Sequence, residues 1–290
     1  MKVSGFTFIR NAVKYDYPIV ESIRSILSII DEFVVLVGKS DDNTLALIES
    51  IDSPKIKIFS SVWDDTLRQG GRVLAVETNK AFQLIATDSD WAFYLQADEV
   101  IHEKYLPIIK KAMQDNLSDK EVEGLLFKYK HFYGSYDYIG NSRRWYRQEI
   151  RLIRNDKQIQ SYRDAQGFRK NGQKLKVRAV DASVYHYGWV KHPEVQQAKS
   201  NYFPSLWSDT KPKEAFTEEN FDYSQIDSLA VFEGKHPKVM QERIVAKKWD
   251  FNFDPTKKRF DFKTKVLNVF EKLTNYRLGE YKNYILLKRD

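Results

Sequence analysis

The chain has 290 residues, is 42% hydrophobic and 14% aromatic, and carries a formal net charge of +7. That length and apolar content support a large buried core, and no run approaches the roughly 20 apolar residues of a membrane span. With no cysteine, disulfides, thiolate metal sites and cysteine nucleophiles are excluded.

The N-terminus enters a strand-like segment directly and lacks the n- and h-regions of a signal peptide, which reads as a soluble intracellular protein. Val3 to Ile9 is a first strand. A helix follows, with Asp16 as N-cap and Pro18 in its first turn, and Ile19, Val20, Ile23, Ile26, Leu27 and Ile30 on one face. Phe33 to Val37 is a second, buried strand. Leu45, Ile48 and Ile51 mark a short helix, and Ile56 and Ile58 a third strand ending near Trp63. Arg72 to Ala86 is helical, and a fourth strand ends at Gln96. Leu106, Ile109 and Met113 stripe the next helix. Four β-α repeats with continuous apolar strands predict a parallel sheet covered by helices on both faces. After residue 124 the pattern changes: Leu125–Tyr129 and Glu149–Ile153 read as strands of a mixed sheet, and Tyr133–Arg144 as a long loop. Beyond residue 190 the chain is polar and aromatic, with a helix over Lys263–Thr274.

Charge is unevenly placed. Residues 124–178 carry 14 basic and 4 acidic side chains, a net of +10, and residues 241–290 carry 13 and 7, a net of +6. Residues 1–123 are acidic, with 14 basic and 20 acidic side chains. A basic middle after an acidic first half suits a surface that meets an anion, and a solvated basic face reads equally well.

Several constellations carry chemistry. Trp91–Leu95 is an apolar run that leads through Gln96 and Ala97 into Asp98-Glu99. A strand ending so brings negative charge to the carboxyl edge of a sheet, where open α/β folds bind ligands. Hard oxygen ligands there suit Mg²⁺ or Mn²⁺ holding a diphosphate, whereas a helix N-terminal charge pair is the plainer reading. Ser40, Asp42 and Thr44 follow the second strand, where they can reach a ribose or serve as ordinary turn and cap residues. Arg68-Gln69-Gly70-Gly71-Arg72 opens a helix whose N-terminus attracts anions, without the Gly-Lys-Ser/Thr of a P-loop. His186 follows a β-branched, aromatic run and reads as a packed histidine unless the fold returns it to Asp98. Arg143, Arg144, Arg147, Arg151 and Arg154, interleaved with Trp145 and Tyr146, describe either a phosphate clamp or a single-stranded nucleic-acid groove.

Taken in order, these segments resemble the nucleotide-sugar glycosyltransferases of the GT-A fold, specifically the large inverting family 2, over residues 2–190. Ile9-Arg10-Asn11 is similar to the end of that family's first strand. Ser40, Asp42 and Thr44 match its Asp-x-x-Ser-x-Asp-x-Thr signature, with Val37 in place of the leading Asp. Its Asp-x-Asp metal motif reads Gln96-Ala97-Asp98 here, keeping the second Asp, the usual direct ligand. His186-Tyr187-Gly188 looks like the family's late histidine element. Arg151-Leu152-Ile153-Arg154 resembles a strand of lipopolysaccharide-core-type members, in which a short acidic motif further on supplies the base; Asp164 is the nearest carboxylate.

The resemblance implies an α/β fold: a GT-A-like, Rossmann-type central mixed sheet flanked by helices over residues 1–190, the catalytic domain, with a mainly helical, basic extension over 191–290. It implies metal-dependent, inverting transfer of a sugar from a nucleotide-sugar donor to a hydroxyl of a glycan or lipid-linked glycan, in bacterial cell-surface polysaccharide synthesis. Asn11, Ser40, Asp42, Arg68, Arg72, Gln96 and Asp98 would bind the donor, Asp98 and His186 would hold Mg²⁺ or Mn²⁺, and Asp164 would be the base. The +10 segment suits an anionic acceptor and the basic tail an anionic lipid, which places the protein in the cytoplasm, peripheral at the inner face of the membrane, with no nucleic-acid partner. The competing readings are a nucleic-acid-binding protein using residues 124–178 and 241–290, a nucleotidyltransferase, for which Asn11-Ala12-Val13-Lys14 is a poor Gly-rich loop, and a non-catalytic relative, given Val37 and Gln96.

Overall fold

Alternation along β1 (Val3–Ile9) sends Val3 and Ile9 to one face of a sheet and Phe6 to the other. The same division recurs in β2 (Glu32–Gly38), where Phe33, Val35 and Val37 oppose Val34 and Leu36. β3 (Ile56–Ser61) follows, and in β4 (Trp91–Tyr94) Trp91 and Phe93 oppose Ala92 and Tyr94. These four strands run parallel in the order β3-β2-β1-β4, and burial on both faces is what parallel strands require. α1 (Ile19–Arg24) and α2 (Thr44–Glu49) cover the first face through Ile19, Ile23 and Ile48. α3 (Arg72–Gln83) covers the second through Ala81 and Phe82, and α4 (Leu106–Asp115) returns to the first through Ile109 and Met113. Each such fully buried side chain contributes about 1.5–3 kcal/mol, so the strand and helix periods of this half are strongly selected. The computed structural model describes residues 1–64, 66, 67, 69–208, 216, 217 and 220–288.

The sheet then becomes mixed, as expected. β5 (Glu99–Ile101), β6 (Gly124–Tyr133), β7 (Ser135–Gly140) and β8 (Gln148–Arg154) follow, with β8 antiparallel to both β4 and β6. β9 (Ile159–Tyr162), β10 (Gly167–Lys170) and β11 (Gln173–Lys174) form a small antiparallel sheet. The long β12 (Lys176–Trp189) lies against β6 and, near its end, against β5, so that His186 stands opposite both Glu99 and His131. The remaining elements are α5 (Pro193–Tyr202), β13 (Leu229–Val231), α6 (Gln241–Val245), α7 (Phe262–Thr274) and β14 (Ile285–Leu286). The segment after residue 190 is mainly helical and irregular, but it also returns to the sheet, β13 pairing with β7 and β14 with β12. Among the described residues no helix is long and apolar enough to cross a membrane.

Two local expectations are corrected. The stretch Tyr133–Arg144 is not a long loop: its glycine and polar residues suggest one, but the chain reverses at Gly134 and Ser135–Gly140 pairs back as a strand. Asp16 does not cap α1; its backbone is left-handed (φ 46°), and Pro18 stands at the cap position. The Asp16 carboxylate instead accepts a hydrogen bond from Arg243 (2.6 Å) and its carbonyl one from Lys191 Nζ (2.7 Å). Long-range cations have claimed an acid that local chemistry would have put to a helix end.

Candidate active site

The carboxyl ends of β1 and β4 open into a cavity of about 620 Å³, walled on its far side by α5 and the turn after it. Gln96, Asp98, Asp164 and His186, four of the residues singled out from the sequence, line it together. Gln96 is set in place by its backbone: its carbonyl accepts from Ser22 Oγ of α1 (3.1 Å) and its N–H donates to Glu99 Oε2 (3.1 Å). Asp98 is joined to β12 through the Tyr187 N–H, which donates to its carbonyl (2.8 Å).

The histidine's tautomer follows from its neighbours. His131 Nε2 lies 2.8 Å from the Tyr146 carbonyl, which can only accept, so Nε2 carries the proton. His131 Nδ1 is then an acceptor, and His186 Nδ1, 3.2 Å away, donates to it. That leaves a lone pair on His186 Nε2, which stands 3.7 Å from Asp98 Oδ1. Burial keeps His131 neutral, driving it down to about 3, and burial likewise lowers His186. A second-layer hydrogen bond that fixes a ring's orientation in this way is common behind histidines that bind cations. Gly188 keeps the space open: a Cβ there would come within 2.6 Å of Asp98 Oδ2 and 2.7 Å of His186 Nε2. The ladder between β12 and β6 is irregular between His186 and Trp189, the kind of break that re-aims a strand beside a site.

Two buried lysines complete the electrostatics. Lys199 Nζ, from α5, is 3.6 Å from Asp98 Oδ2 and donates to the Gly188 carbonyl (3.1 Å). Burial opposes charge on Asp98, yet His186, Lys199 and Lys191 outweigh it and hold the carboxyl below its usual range. Burial lowers Lys191 to about 7, with the nearby Lys199 adding to the shift.

Glu99, the other half of the acidic pair, has a structural role. Both its oxygens are held by Arg151 (2.7 and 2.8 Å), and Tyr129 Oη donates to it (2.7 Å). The pair is wholly buried, so loss of either partner would strand a charge. Two other carboxylates are not so satisfied. Glu149 Oε2 and Asp164 Oδ1 are buried without a hydrogen-bond partner among the described residues, and both side chains line the cavity. Burial, more than Arg151 can offset, raises Glu149 to about 8, with the charges of Glu99 and Asp164 contributing. Burial also raises Asp164, against hydrogen bonds to its carboxyl from the Trp207 and Gln166 side chains, the latter 3.2 Å from Oδ2. Gly71, which has a positive φ of 71°, admits Asp164 at this wall, since a Cβ on it would meet the Asp164 Cβ at 2.6 Å.

Other candidates lie outside the lining. Asn11, Ser40 and Asp42 knit β1 to the loop after β2. Asn11 N–H donates to Ser40 Oγ (3.0 Å), Asp41 N–H to Asn11 Oδ1 (2.8 Å), and the N–H groups of Lys14 and Thr44 to Asp42 (2.7 and 3.0 Å). Arg72 is exposed on α3 and does not line the cavity, and Arg68 lies outside the described residues. Most of the basic stretch is engaged within the chain, although Arg144 and Arg147 are exposed. Arg143 pairs with Glu271, Arg147 with Glu280 and Arg151 with Glu99, while Arg154 donates to the carbonyls of Val122 and Asp119. The paired arginines, Arg143, Arg147 and Arg151, have their charge matched within the chain. What the sequence reading missed is the far wall: Lys199, Tyr202, Phe203 and Trp207. Tyr202 stacks on Tyr15 and Phe203 on Trp207. The close aromatic spacing of residues 202, 203 and 207 is the one sequence signal that could have marked this wall.

No protein-family model matches the chain, and no curated protein does. Among solved structures it is similar to TarS of S. aureus, at 17% identity and a TM-score of 0.42, over 68% of this chain and 38% of that one. It is similar to TarS residues 1–349 in complex with UDP, at 16% and 0.41, over 70% of this chain and 64% of that one. It is also similar to glucosyl-3-phosphoglycerate synthase of Mycobacterium tuberculosis in complex with Mn²⁺ and UDP-glucose, at 17% and 0.31, over 45% of this chain and 44% of that one. The chain thus spans less than two thirds of the length of each.

Proposed function

We propose that the chain transfers a sugar from a nucleotide-sugar donor to an acceptor hydroxyl, inverting the anomeric centre. One observation carries the reading: an anionic oxygen of Asp98 and a lone-pair nitrogen of His186 converge, 3.7 Å apart, beside a space that Gly188 keeps clear. Two electron-rich atoms so placed call for a cation. The donor set, one carboxylate and one imidazole, fits Mn²⁺ or Mg²⁺. No group of three metal-ligating side chains occurs among the described residues, so the remaining ligands would come from the donor's diphosphate and water. When bound, the ion supplies positive charge to the departing diphosphate.

The chain's own groups perform the rest. Asp164, with its unpartnered oxygen on the cavity wall, takes the proton of the acceptor hydroxyl as that oxygen bonds to the anomeric carbon. The bond to the nucleotide diphosphate breaks in the same displacement, its electron pair leaving with the diphosphate. A carboxyl raised toward the working pH is a better base than an ordinary one. Glu149, protonated at neutrality, is a donor rather than a base, and its O–H can orient a sugar hydroxyl. Trp189, Tyr146 and Trp207 offer apolar ring faces to a sugar. Asn11, Ser40 and Asp42 enter this reading as the frame of the loop that receives the nucleotide. Residues 1–190 supply the donor side, and 191–290 supply the wall that shapes the acceptor side.

The test is a screen of nucleotide sugars for thermal stabilisation with and without Mn²⁺, because a ligand that binds the native state raises apparent stability by mass action. A metal-dependent rise with one donor is expected, and its absence in Asp98→Asn. If no nucleotide sugar stabilises the protein under either condition, the reading fails. A second reading is favoured by Lys199, whose amine already stands beside Asp98: the lysine itself supplies the cation. Turnover that persists in a chelator and disappears in Lys199→Met would select it.

A further inference from the structure

Helix α7 is amphipathic in the opposite sense to a helix packed on a core. At 3.6 residues per turn, Phe262, Val266, Val269, Phe270 and Leu273 fall within an arc of about 100°. All five are exposed, Phe262 and Leu273 by 82% and 81%, and the helix buries no residue. The side turned to the protein is mostly polar, Thr264, Asn268 and Glu271 with Leu267 among them, and Glu271, the helix's one acid, pairs with Arg143 and lies 3.6 Å from Arg147 and 3.7 Å from Arg277. The apolar stripe continues into the exposed Tyr276, Leu278 and Tyr281. Lysines border it on both edges, Lys263 on one and Lys265 and Lys272 on the other, all exposed.

We infer that this face of α7 docks on an anionic lipid surface. An apolar stripe of Phe, Val and Leu edged by lysines is the pattern of a helix lying in a membrane interface, its side chains in the acyl boundary and its ammonium groups among the headgroups. A second copy of the chain is the poorer occupant. An isologous pair would set three lysines of each copy against three of the other with only Asp261, whose carboxylate is already bonded to the Thr264 N–H (2.7 Å), to receive them, whereas paired helices place opposite charges there. Glu271 and Arg143 tie the docked helix to the segment after β7, whose Tyr146 lines the active-site cavity. The cavity wall is therefore one loop from the lipid. The inference does not rest on sugar transfer.

The test is flotation of the full chain with vesicles of phosphatidylcholine alone and of phosphatidylcholine and phosphatidylglycerol in equal parts. Binding is expected with the anionic vesicles, weakening as salt rises. Leu273→Asp and Val266→Asp should each lower partitioning by about tenfold or more, since each withdraws a buried aliphatic group. Neutralising Lys263, Lys265 and Lys272 to Gln should cost about fivefold for each lysine. All five side chains are exposed, so the melting temperature should not change, and that is measured alongside. Failure to float, equal binding to both vesicles, or variants that bind like the parent would overturn the inference. So would self-association without lipid that Leu273→Asp abolishes, which would assign the face to a second copy.

Discussion

Two loops leave the carboxyl edge of the parallel sheet with similar residues and opposite fates. The loop after β2 holds Ser40, Asp41 and Asp42, and its groups are committed to Asn11, Lys14 and Thr44. The loop after β4 holds Asp98, whose carboxylate has a lone-pair imidazole nitrogen at 3.7 Å and the Lys199 amine at 3.6 Å. A carboxylate already bonded to backbone N–H groups is a structural fitting. One held among ionisable groups at a cavity wall is available for chemistry. The difference lies in how far each acid's partners are exhausted, and residue type does not reveal it.

Substitutions can break or sharpen that contrast. The largest effect is expected for Asp98→Asn, which keeps shape and removes charge: turnover of the matching nucleotide sugar should fall by about 10³-fold, the scale of losing a preorganised electrostatic group. Steady-state kinetics on a folded variant with near-parental turnover would remove Asp98 from the site. Asp164→Asn should lower kcat by about 10²-fold, the lower range for a general base, with little change in donor affinity. An unchanged kcat would pass the role to another carboxylate. Gly188→Ala comes next: its Cβ would overpack the space between Asp98 and His186 at a cost of about 1–3 kcal/mol, read as weaker Mn²⁺-dependent donor binding by calorimetry. Binding equal to the parent would mean that nothing enters there.

Glu149 gives a pH signature. Its carboxyl moves from 4.5 to about 8 on folding, so the native state binds its proton more tightly than the unfolded chain. That stability is fully present below 4.5 and is lost as pH rises through about 8. Urea denaturation across the window should show parental stability declining with rising pH, and Glu149→Gln should flatten the slope. Identical slopes would show that the carboxyl ionises freely. The smallest effect is expected at the spent loop: Asp42→Ala should cost about 1 kcal/mol as a lost helix-start hydrogen bond, with kcat unchanged. A large kcat defect there would erase the contrast between the loops.

Much of the first half was legible because its elements obey short-range rules. Both faces of β1, β2 and β4 are buried, so the strands read as continuous apolar runs, and the covering helices keep a 3.6-residue stripe. The end of β4 at Gln96-Ala97-Asp98 could be placed at the sheet edge for the same reason. Strand β7 was hidden because its pairing depends on β6 and β13, and its own composition reads as loop. Asp16 looked like a cap because Arg243 and Lys191, its partners, lie more than 170 residues away in sequence. The α5 wall was missed because a polar helix with a few aromatics announces nothing until Tyr202 is stacked on Tyr15.

Composition and periodicity by themselves determined the β-α alternation, the mixed sheet after it, and the presence of an acid at one strand end and a histidine in a later strand. Only the tertiary structure decided that Glu99 is neutralised by Arg151, that His131 turns the His186 lone pair toward Asp98, and that Lys199 joins them. Elements form from apolar patterns between near neighbours, whereas the ionisation and reach of a polar group depend on which distant partners fill its hydrogen bonds and exclude its water.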